Sequence, residues 1–256
     1  MTGFISSVRL RADQAASKTG YPFSIPALAA LGKELPLHPK ATFFVGENGS
    51  GKSTLMEAIA VASGFNPEGG TVNFNFATRA SHSPMHGALR LVRRGKRPRT
   101  GFFLRAESFF NLATNIEELD REPGLGPPII DSYGGRSLHE QSHGESFLAL
   151  LQHRFGSNGL YILDEPEAAL SPRRQLAALA LIHRLIERES QFIIATHSPI
   201  LLSLPGASIY ELSEQGIQSI AYEDTDQFQL TKRFLNDPAT FLEMLLGPTS
   251  APTPNT

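Results

Sequence analysis

Hydrophobic and polar positions along the chain fall into short segments of the length of β-strands. Alternation over residues 4–11 and 21–25 predicts two half-buried strands. Continuous apolar runs over residues 41–45, 160–163 and 191–195 predict strands that are buried on both faces. The sequence therefore indicates a sheet with a buried centre.

Helical spacing of apolar residues appears between these strands. Residues 53–62 have this spacing, and Gly64 can end the helix. Another helix is predicted from residue 145 to about residue 153, and residues 172–188 predict a third that begins with proline. The repeated order of strand and helix predicts a mostly parallel sheet with right-handed crossovers.

Residues 89–104 have two apolar stretches around the basic segment RRGKRPRTG and predict a β-hairpin. Each nucleic-acid phosphate that a cation neutralises steepens the salt dependence of binding. Charge runs at hairpin tips are nonetheless usually solvated turns, so nucleic acid is a partner that we consider but do not favour. The cations of this segment are Arg90, Arg93, Arg94, Lys96, Arg97 and Arg99.

Composition bounds the class of protein. The 256 residues are 41% hydrophobic and 19% charged, which fits one large globular domain. The formal net charge of −2 and the absence of cysteine exclude a strongly basic protein, disulfides and thiolate metal sites. No apolar run approaches the roughly 18 residues of a membrane span, so we expect a cytoplasmic protein without direct membrane insertion.

The segment GENGSGKST follows the buried strand 41–45 and precedes a helix. Its glycines let backbone N–H groups converge on phosphate oxygens, Lys52 adds a positive charge, and the Ser53 hydroxyl can bind Mg²⁺. The segment therefore predicts a nucleotide site. Its residues are Gly46, Glu47, Asn48, Gly49, Ser50, Gly51, Lys52, Ser53 and Thr54.

Two later strands end in residues that can complete such a site. Asp164 and Glu165 follow the run 160–163, at the edge where parallel sheets bind ligands. We expect Asp164 to hold Mg²⁺ and Glu165 to polarise the water that attacks the γ-phosphate. His197 follows the next strand and is expected to reach that phosphate.

Gln141, His143 and Glu145 alternate with Ser142 and Gly144 in the segment just before a predicted helix. Helix N-termini attract anions, so Ser142 and the backbone at Gly144 and Glu145 form another candidate phosphate contact.

The order of these four segments resembles the ABC-type ATPase family. GENGSGKST resembles Walker A, YILDEP resembles Walker B with its glutamate, THS resembles the switch histidine loop, and SHGES resembles the signature motif. Residues 167–171 are similar to the D-loop. The segments RAESFFN, THSPIL and FLNDPATFLEMLLG resemble small stand-alone bacterial members of this family.

The resemblance implies an α/β P-loop fold with a mostly parallel central sheet, an antiparallel β subdomain and a short helical subdomain. It implies one domain over residues 1–247, with the helical part at about 105–145. The polar and proline-rich composition of residues 248–256 predicts a flexible tail. The resemblance also implies ATP hydrolysis by a homodimer that encloses two ATP molecules, in which Ser142 and Gly144 act on the partner's ATP.

Two segments depart from the family pattern, and one further assignment by resemblance stays open. The position of the family's glutamine that senses Mg²⁺ is taken by Glu107, and the usual Leu-Ser-Gly-Gly-Gln signature is replaced at three of five positions. An acidic signature is more similar to stand-alone and repair-type ATPases than to transporter subunits. The aromatic residue that stacks on adenine is either Tyr21 or Phe23.

Three biological settings remain open. The favoured one is an ATPase switch that acts on an unknown protein partner. The alternatives are the ATP-binding subunit of a membrane transporter and a nucleic-acid-associated ATPase of repair or defence type. Only about 34 residues separate Glu107 from the signature, which counts against a subdomain that grips a membrane protein.

Overall fold

The computed structural model of the protein describes two sheets with helices on both sides of the larger one. The described residues are 3–11, 20–29, 31, 34–71, 84–106, 109–121 and 126–247. The strands are β1 Ile5–Leu10, β2 Leu35–Pro36, β3 Ala41–Val45, β4 Leu89–Arg93, β5 Thr100–Arg105, β6 Gly159–Asp164, β7 Gln191–Ala195, β8 Ser208–Ser213 and β9 Gly216–Ser219.

The larger sheet has six strands in the order β5-β6-β7-β3-β8-β9, and all neighbours are parallel except β8 and β9. Every residue of β3, β6 and β7 is buried. Helices cover both faces of a parallel sheet, so its central strands are continuous apolar runs. The predicted mostly parallel sheet is confirmed, and its three central strands are those that the apolar runs indicated.

Alternate residues of each central strand enter two separate cores. Phe43 of β3 packs with one cluster of buried side chains, whereas Phe44 packs with the other. The same alternation places Tyr161 and Ile162 of β6 on opposite faces. The sheet thus separates two hydrophobic cores, and the ends of its strands hold the residues that follow them at defined positions.

The smaller sheet is antiparallel, in the order β2-β1-β4, and confirms the predicted antiparallel unit. The predicted hairpin over residues 89–104 is wrong, because β4 pairs with β1 and β5 pairs in parallel with β6. The basic segment between them is a connection from one sheet to the other. Alternation along a strand shows that it has one buried face, but it does not identify the neighbouring strand.

The helices are α1 Pro26–Ala29, α2 Lys52–Ser63, α3 Phe109–Arg121, α4 His143–Ala149, α5 Pro172–Glu187, α6 Pro199–Leu202, α7 Asp226–Asn236 and α8 Pro238–Leu246. Gly64 ends α2 with a left-handed backbone, as predicted. α4 continues into a π-helical turn, Leu150–Arg154. The strand predicted over residues 21–25 is wrong, because this segment forms turns that lead into α1.

Residues between β5 and α4 include α3 and a 3₁₀ turn, Ile129–Tyr133. Whether the segment 105–145 is an inserted subdomain of one domain, 1–247, stays a prediction. The predicted tail, residues 248–256, lies outside the described residues. Within the part of the chain that the structure describes, no helix is both long and apolar enough to cross a bilayer.

Candidate functional site

The phosphate-loop candidate joins β3 to α2 at the carboxyl edge of the sheet. Gly46 has φ of 142° and Gly51 has φ of 98°, a region that side chains other than glycine seldom adopt. A Cβ on Gly46 would lie 2.3 Å from the Leu212 carbonyl oxygen of β8, and one on Gly51 would lie 3.0 Å from Ile25 Cγ2. The loop therefore needs glycine both for its backbone angles and for its close packing.

Lys52 begins α2 and is only 4% exposed. Its Nζ donates hydrogen bonds to the carbonyl oxygens of Gly46, at 2.8 Å, and Glu47, at 2.9 Å. Burial lowers the pKa of the Lys52 ammonium from 10.5, while the nearby carboxylates Glu165 and Asp164 oppose this shift. An ammonium has three donors, so one remains for a ligand in the adjoining cavity.

A cavity of about 460 Å³ opens beside this loop. The Ser50 hydroxyl oxygen is buried in the loop and has no hydrogen-bond partner among the described residues. Buried polar groups are normally paired, so a loop that holds an unpaired hydroxyl beside a lysine suits an anionic ligand. The cavity is lined by Tyr21, Ile25, Asn48, Gly49, Gly51, Lys52, Ser53, Thr54 and Glu165.

Ser53 and Asp164 meet at the bottom of this site. The Ser53 Oγ donates to Asp164 Oδ1 at 3.3 Å, although 111 positions separate the residues in the chain. Asp164 is the last residue of β6 and is buried. A hydroxyl and a carboxylate are oxygen ligands of the kind that Mg²⁺ uses when phosphates supply the others, so the pair fits that ion.

Glu165 and His197 leave adjacent strands and lie side by side. Glu165 has a left-handed backbone, with φ of 52° and ψ of 52°, directly after β6. Its N–H donates to the Ala195 carbonyl oxygen at 2.9 Å, which joins the end of β6 to the end of β7. The His197 Nε2 lies 3.7 Å from Glu165 Oε1. The structure therefore brings these two predicted residues together at the edge of the cavity.

Glu167 and Gln175, which the sequence did not identify as site residues, form hydrogen bonds to the loop that contains His197. The Glu167 carboxylate accepts a 2.5 Å hydrogen bond from the His197 backbone N–H. The Ser198 Oγ donates to Gln175 Oε1 at 2.6 Å and caps α6 by accepting from the Leu201 N–H. Glu167 lies in the segment predicted to resemble the D-loop, and that position was the one available clue to its role.

The candidate signature residues form the N-terminus of α4. The Glu145 carboxylate accepts from the Ser142 backbone N–H at 2.9 Å and from the Ser142 hydroxyl at 2.8 Å. Arg174 of α5 donates to the Ser142 Oγ and forms an ion pair with Glu145 at 3.1 Å. The hydrogen bonds from Ser142 lower the pKa of Glu145 below 4.5, and Arg174 acts in the same direction.

Gly144 fits a space that no larger residue could use. A Cβ there would lie 2.7 Å from Arg174 Nη1 and 2.8 Å from the Ala169 carbonyl oxygen. The Glu145 N–H, one of the predicted phosphate donors, is bonded to the Ser142 carbonyl oxygen at 2.8 Å. None of Ser142, Gly144 and Glu145 lines the cavity beside the phosphate loop. One chain thus does not bring the signature to its own nucleotide cavity.

The two aromatic candidates differ in their surroundings. Tyr21 is 65% exposed, lines the cavity, and its hydroxyl lies 3.2 Å from Thr54 Oγ1. Phe23 is half-buried and packs against a hydrophobic core. Of the two, Tyr21 is therefore the one placed to contact a ligand. The predicted metal ligand Glu107 lies outside the described residues.

Two family models match the chain, each over about a quarter of its length. One, described as "AAA domain, putative AbiEii toxin, Type IV TA system", matches residues 130–203. The other, described as "AAA domain", matches residues 31–93. The second match contains the phosphate loop, and the first contains Asp164, Glu165 and His197. None of the curated proteins matches the sequence.

Solved structures match over nearly the whole chain. An ATP-binding cassette of an ABC transporter is 17% identical, with a TM-score of 0.54, over 94% of this chain and 98% of its own. The chain has the fold of an ABC-type ATPase. A structure described as "an inward-facing conformation of a putative metal-chelate type ABC transporter" is also 17% identical, with a TM-score of 0.51, over 90% of this chain and 88% of its own.

The ABC-type fold explains why distant segments converge. Parallel strands β3, β6 and β7 all end at one edge of the sheet, which gathers Lys52, Asp164, Glu165 and His197 there. The described part of the chain contains no group of three or more metal-ligating acidic, histidine or cysteine side chains. The chemistry that the arrangement supports is phosphate binding next to a carboxylate paired with histidine.

Proposed function

We propose that the protein hydrolyses ATP as a homodimer in which two copies enclose two ATP molecules. One observation carries this proposal. The cavity beside the phosphate loop holds Lys52, Ser53 and Glu165, but the signature residues lie elsewhere in the same chain. A site with only half of its expected residues is what a composite site between two copies would look like in a single chain.

Phosphate binding rests on the loop. The cavity is lined by residues of the loop and of the first turn of α2, where backbone N–H groups and the helix N-terminus favour an anion such as a triphosphate. The free donor of Lys52 would contact the β- and γ-phosphates, whereas the Ser50 hydroxyl is buried and does not line the cavity. Ser53 and Asp164 would hold Mg²⁺, which neutralises phosphate charge when it is bound, with Glu107 as a further proposed ligand.

Hydrolysis rests on Glu165 and His197. The Glu165 carboxylate would accept a proton from the water that attacks the γ-phosphate. The His197 imidazole lies 3.7 Å from this carboxylate and would orient it, while also reaching towards the γ-phosphate. The His197 Nε2 is buried and has no hydrogen-bond partner among the described residues, so it would have to become accessible before it could contact the γ-phosphate.

The signature would act on the ATP of the other copy. Ser142 and the N-terminus of α4 would face the partner's γ-phosphate, and Gly144 would allow close approach. The Ser142 hydroxyl is shared between Glu145 and Arg174 within one chain. Dimer formation would therefore have to exchange one of these contacts for a contact with phosphate, which would couple ATP binding to closure.

The partner that closure would move is a separate question. The two solved structures compared above are described as belonging to ABC transporters, which favours a transporter subunit as one alternative. A family model described as a toxin of a Type IV TA system favours a defence-type ATPase as another. Isolation of a membrane protein together with this chain would support the first alternative.

The substitution Glu165→Gln tests the proposed chemistry. It removes the proton acceptor but keeps the shape of the side chain, so ATP should still bind. We expect the rate of phosphate release to fall about 10²- to 10⁴-fold, the usual share of general acid–base catalysis. Light scattering in the presence of ATP should show a stable dimer.

The exposed Glu214 in the turn between β8 and β9 provides the matched control, because Glu214→Gln makes the same change at a residue that does not line the cavity. Its hydrolysis should equal that of the unchanged protein. Undiminished hydrolysis by the Glu165→Gln protein would contradict the role of Glu165. A protein that binds ATP but stays monomeric would contradict the composite site.

A further inference from the structure

The amino edge of the central sheet, opposite to the phosphate loop, has a cavity of about 560 Å³. Its apolar lining includes the buried side chains of Phe4, Phe65 and Leu160. No acidic residue is among the described residues that line it. Its cations are Arg93, Arg94, Lys96, Arg97, Arg99 and Arg154.

Of these six cations, one forms an ion pair with a carboxylate of the described residues. Lys96 pairs with Glu189, and Arg93 donates to the Ala62 carbonyl oxygen. The side chains of Arg94, Arg97 and Arg99 are exposed and form no ion pair or side-chain hydrogen bond within the described ranges. For a chain with a net charge of −2, this is a marked local concentration of positive charge.

A further pair of cations extends this charge along the smaller sheet. Arg9 of β1 lies directly opposite Arg90 of β4. Like charges at directly opposed positions destabilise an antiparallel pair. One carboxylate, Glu34, is nearby, where it accepts a hydrogen bond from the Ser7 hydroxyl. Neither arginine forms an ion pair with a carboxylate of the described residues, so the fold retains an electrostatic cost.

This surface is separate from the candidate ATP site. The cavity is lined by Thr100 and Gly101, at the start of β5, whereas Asp164 ends the adjacent strand β6. The six residues of β6 span about 17 Å at the usual rise of a strand. The cations that line this cavity therefore lie too far from Lys52 to contact phosphates bound there.

We propose that Arg9, Arg90, Arg94, Arg97 and Arg99, here called the basic edge, bind the phosphodiester backbone of a nucleic acid. The proposal names a partner for the ATPase proposed above and rests on it in that respect, although the binding itself needs no ATP. In the basic edge, Arg90 lies on β4 and Arg94 directly follows this strand, so about 13 Å of extended chain separates them, and Arg97 and Arg99 lie further along the connection to β5.

The length of the basic edge favours a polymer over a small anion. One strand of a duplex carries a phosphate about every 3.4 Å along its axis, so about four phosphates span the roughly 13 Å that separates Arg90 from Arg94. Arginine guanidinium groups match phosphate oxygens with two parallel hydrogen bonds, and four of the five residues have exposed side chains. A small anion in the cavity would leave Arg9 and Arg90 uncompensated.

The experiment is a binding titration followed by fluorescence anisotropy. The full chain, without ATP, is added to a labelled oligonucleotide of about 30 nucleotides, either single-stranded or as a duplex. With about four phosphate contacts on single-stranded DNA, affinity should fall about 50-fold between about 50 mM and about 200 mM salt. Comparison of the two probes shows which form of nucleic acid the basic edge prefers.

A triple variant, Arg94→Ala with Arg97→Ala and Arg99→Ala, isolates the basic edge. Its slope of log affinity against log salt should be shallower by about 2 on single-stranded DNA. Arg121→Ala with Arg233→Ala is the matched control, because these exposed arginines lie on α3 and α7. The control should bind as the unchanged protein does, and both variants should still bind ATP.

Three results would overturn the proposal. They are no binding of either probe at about 50 mM salt, an equal loss of affinity in the control variant, and displacement of the probe by inorganic tripolyphosphate at equal or lower phosphate concentration. The last result would identify a small polyanion instead. Because the titration contains no ATP, nucleic-acid binding by the Glu165→Gln protein separates this proposal from the proposed hydrolysis.

Discussion

Charged side chains are arranged in opposite ways near the two edges of the central sheet. At the carboxyl edge, Lys52 is buried among carbonyl oxygens and close to carboxylates, and Glu165 lies next to His197. At the amino edge, arginines crowd together in the segment between β4 and β5, and in the smaller sheet Arg9 faces Arg90. The residues of the carboxyl edge follow strands of the central sheet, whereas these arginines lie on the smaller sheet and on its connection to β5.

The comparison teaches how each edge would recognise phosphate. A buried lysine surrounded by fixed dipoles suits one ligand in one position, because the polar groups are already oriented. Exposed arginines without fixed partners suit a ligand that offers many equivalent phosphates. The predictions below test this contrast by removing charge or space at one edge and comparing the result with the other.

The largest effect is expected from Lys52→Ala at the carboxyl edge. The variant loses a charge-assisted hydrogen bond to phosphate, which contributes about 1.5–3 kcal/mol. Its Kd for ATP should rise about tenfold to about 150-fold, as measured by calorimetric titration. Arg94→Ala, at the amino edge, should leave the Kd for ATP unchanged. Equal ATP affinity of the Lys52→Ala and unchanged proteins would refute the contrast.

Gly144→Ala tests how closely the carboxyl side is packed. Alanine is normally favoured over glycine in a helix by about 1 kcal/mol. Here its Cβ would meet Arg174 and the Ala169 carbonyl oxygen at less than 3 Å, so we expect a net loss of about 1–3 kcal/mol in the free energy of unfolding.

Denaturant unfolding measures this change, and Gly87→Ala is the matched control. Gly87 lies in the 3₁₀ turn Pro84–Ala88, and a Cβ there has no neighbouring atom within 4 Å. The control should therefore unfold at an equal or slightly higher denaturant concentration, because alanine reduces the conformational freedom of the unfolded chain. A Gly144→Ala protein that is more stable than the parent would show that α4 and the loop after β6 are not in close contact.

The smallest effect is expected at the amino edge, and it has the opposite sign. Arg90→Gln removes the repulsion from Arg9, so the protein should be more stable by about 0.2–1 kcal/mol at low salt. The gain should shrink as salt rises, because salt screens exposed charges. Arg121→Gln is the control, since Arg121 pairs with Glu117 and its removal should give no gain. A loss of stability in Arg90→Gln would mean that the two arginines do not repel each other.

Much of the central sheet could be predicted because its strands are buried on both faces. The apolar runs that form β3, β6 and β7 can be recognised as strands without knowing which strands they pair with. The strand predicted at residues 21–25 failed because five alternating positions also fit a turn, and Gly20 and Pro22 were the better guide. The hairpin failed because the partner of β4 is β1, about 80 positions earlier in the chain.

The candidate site could be predicted as a set of segments but not as a set of contacts. The order of the motifs identified Lys52, Asp164, Glu165 and His197. It could not identify Arg174, whose guanidinium reaches the signature from the first turn of α5. Such contacts depend on how two helices meet, and single residues without a motif give no sign of that.

The turn Pro166–Ala169 has a mechanical consequence. On one side its Glu167 carboxylate holds the His197 backbone, and on the other its Ala169 carbonyl oxygen lies against Gly144. α4 and the histidine loop therefore contact the same four-residue turn. If a second copy contacts α4 when it docks, this turn would couple docking to the position of the His197 imidazole.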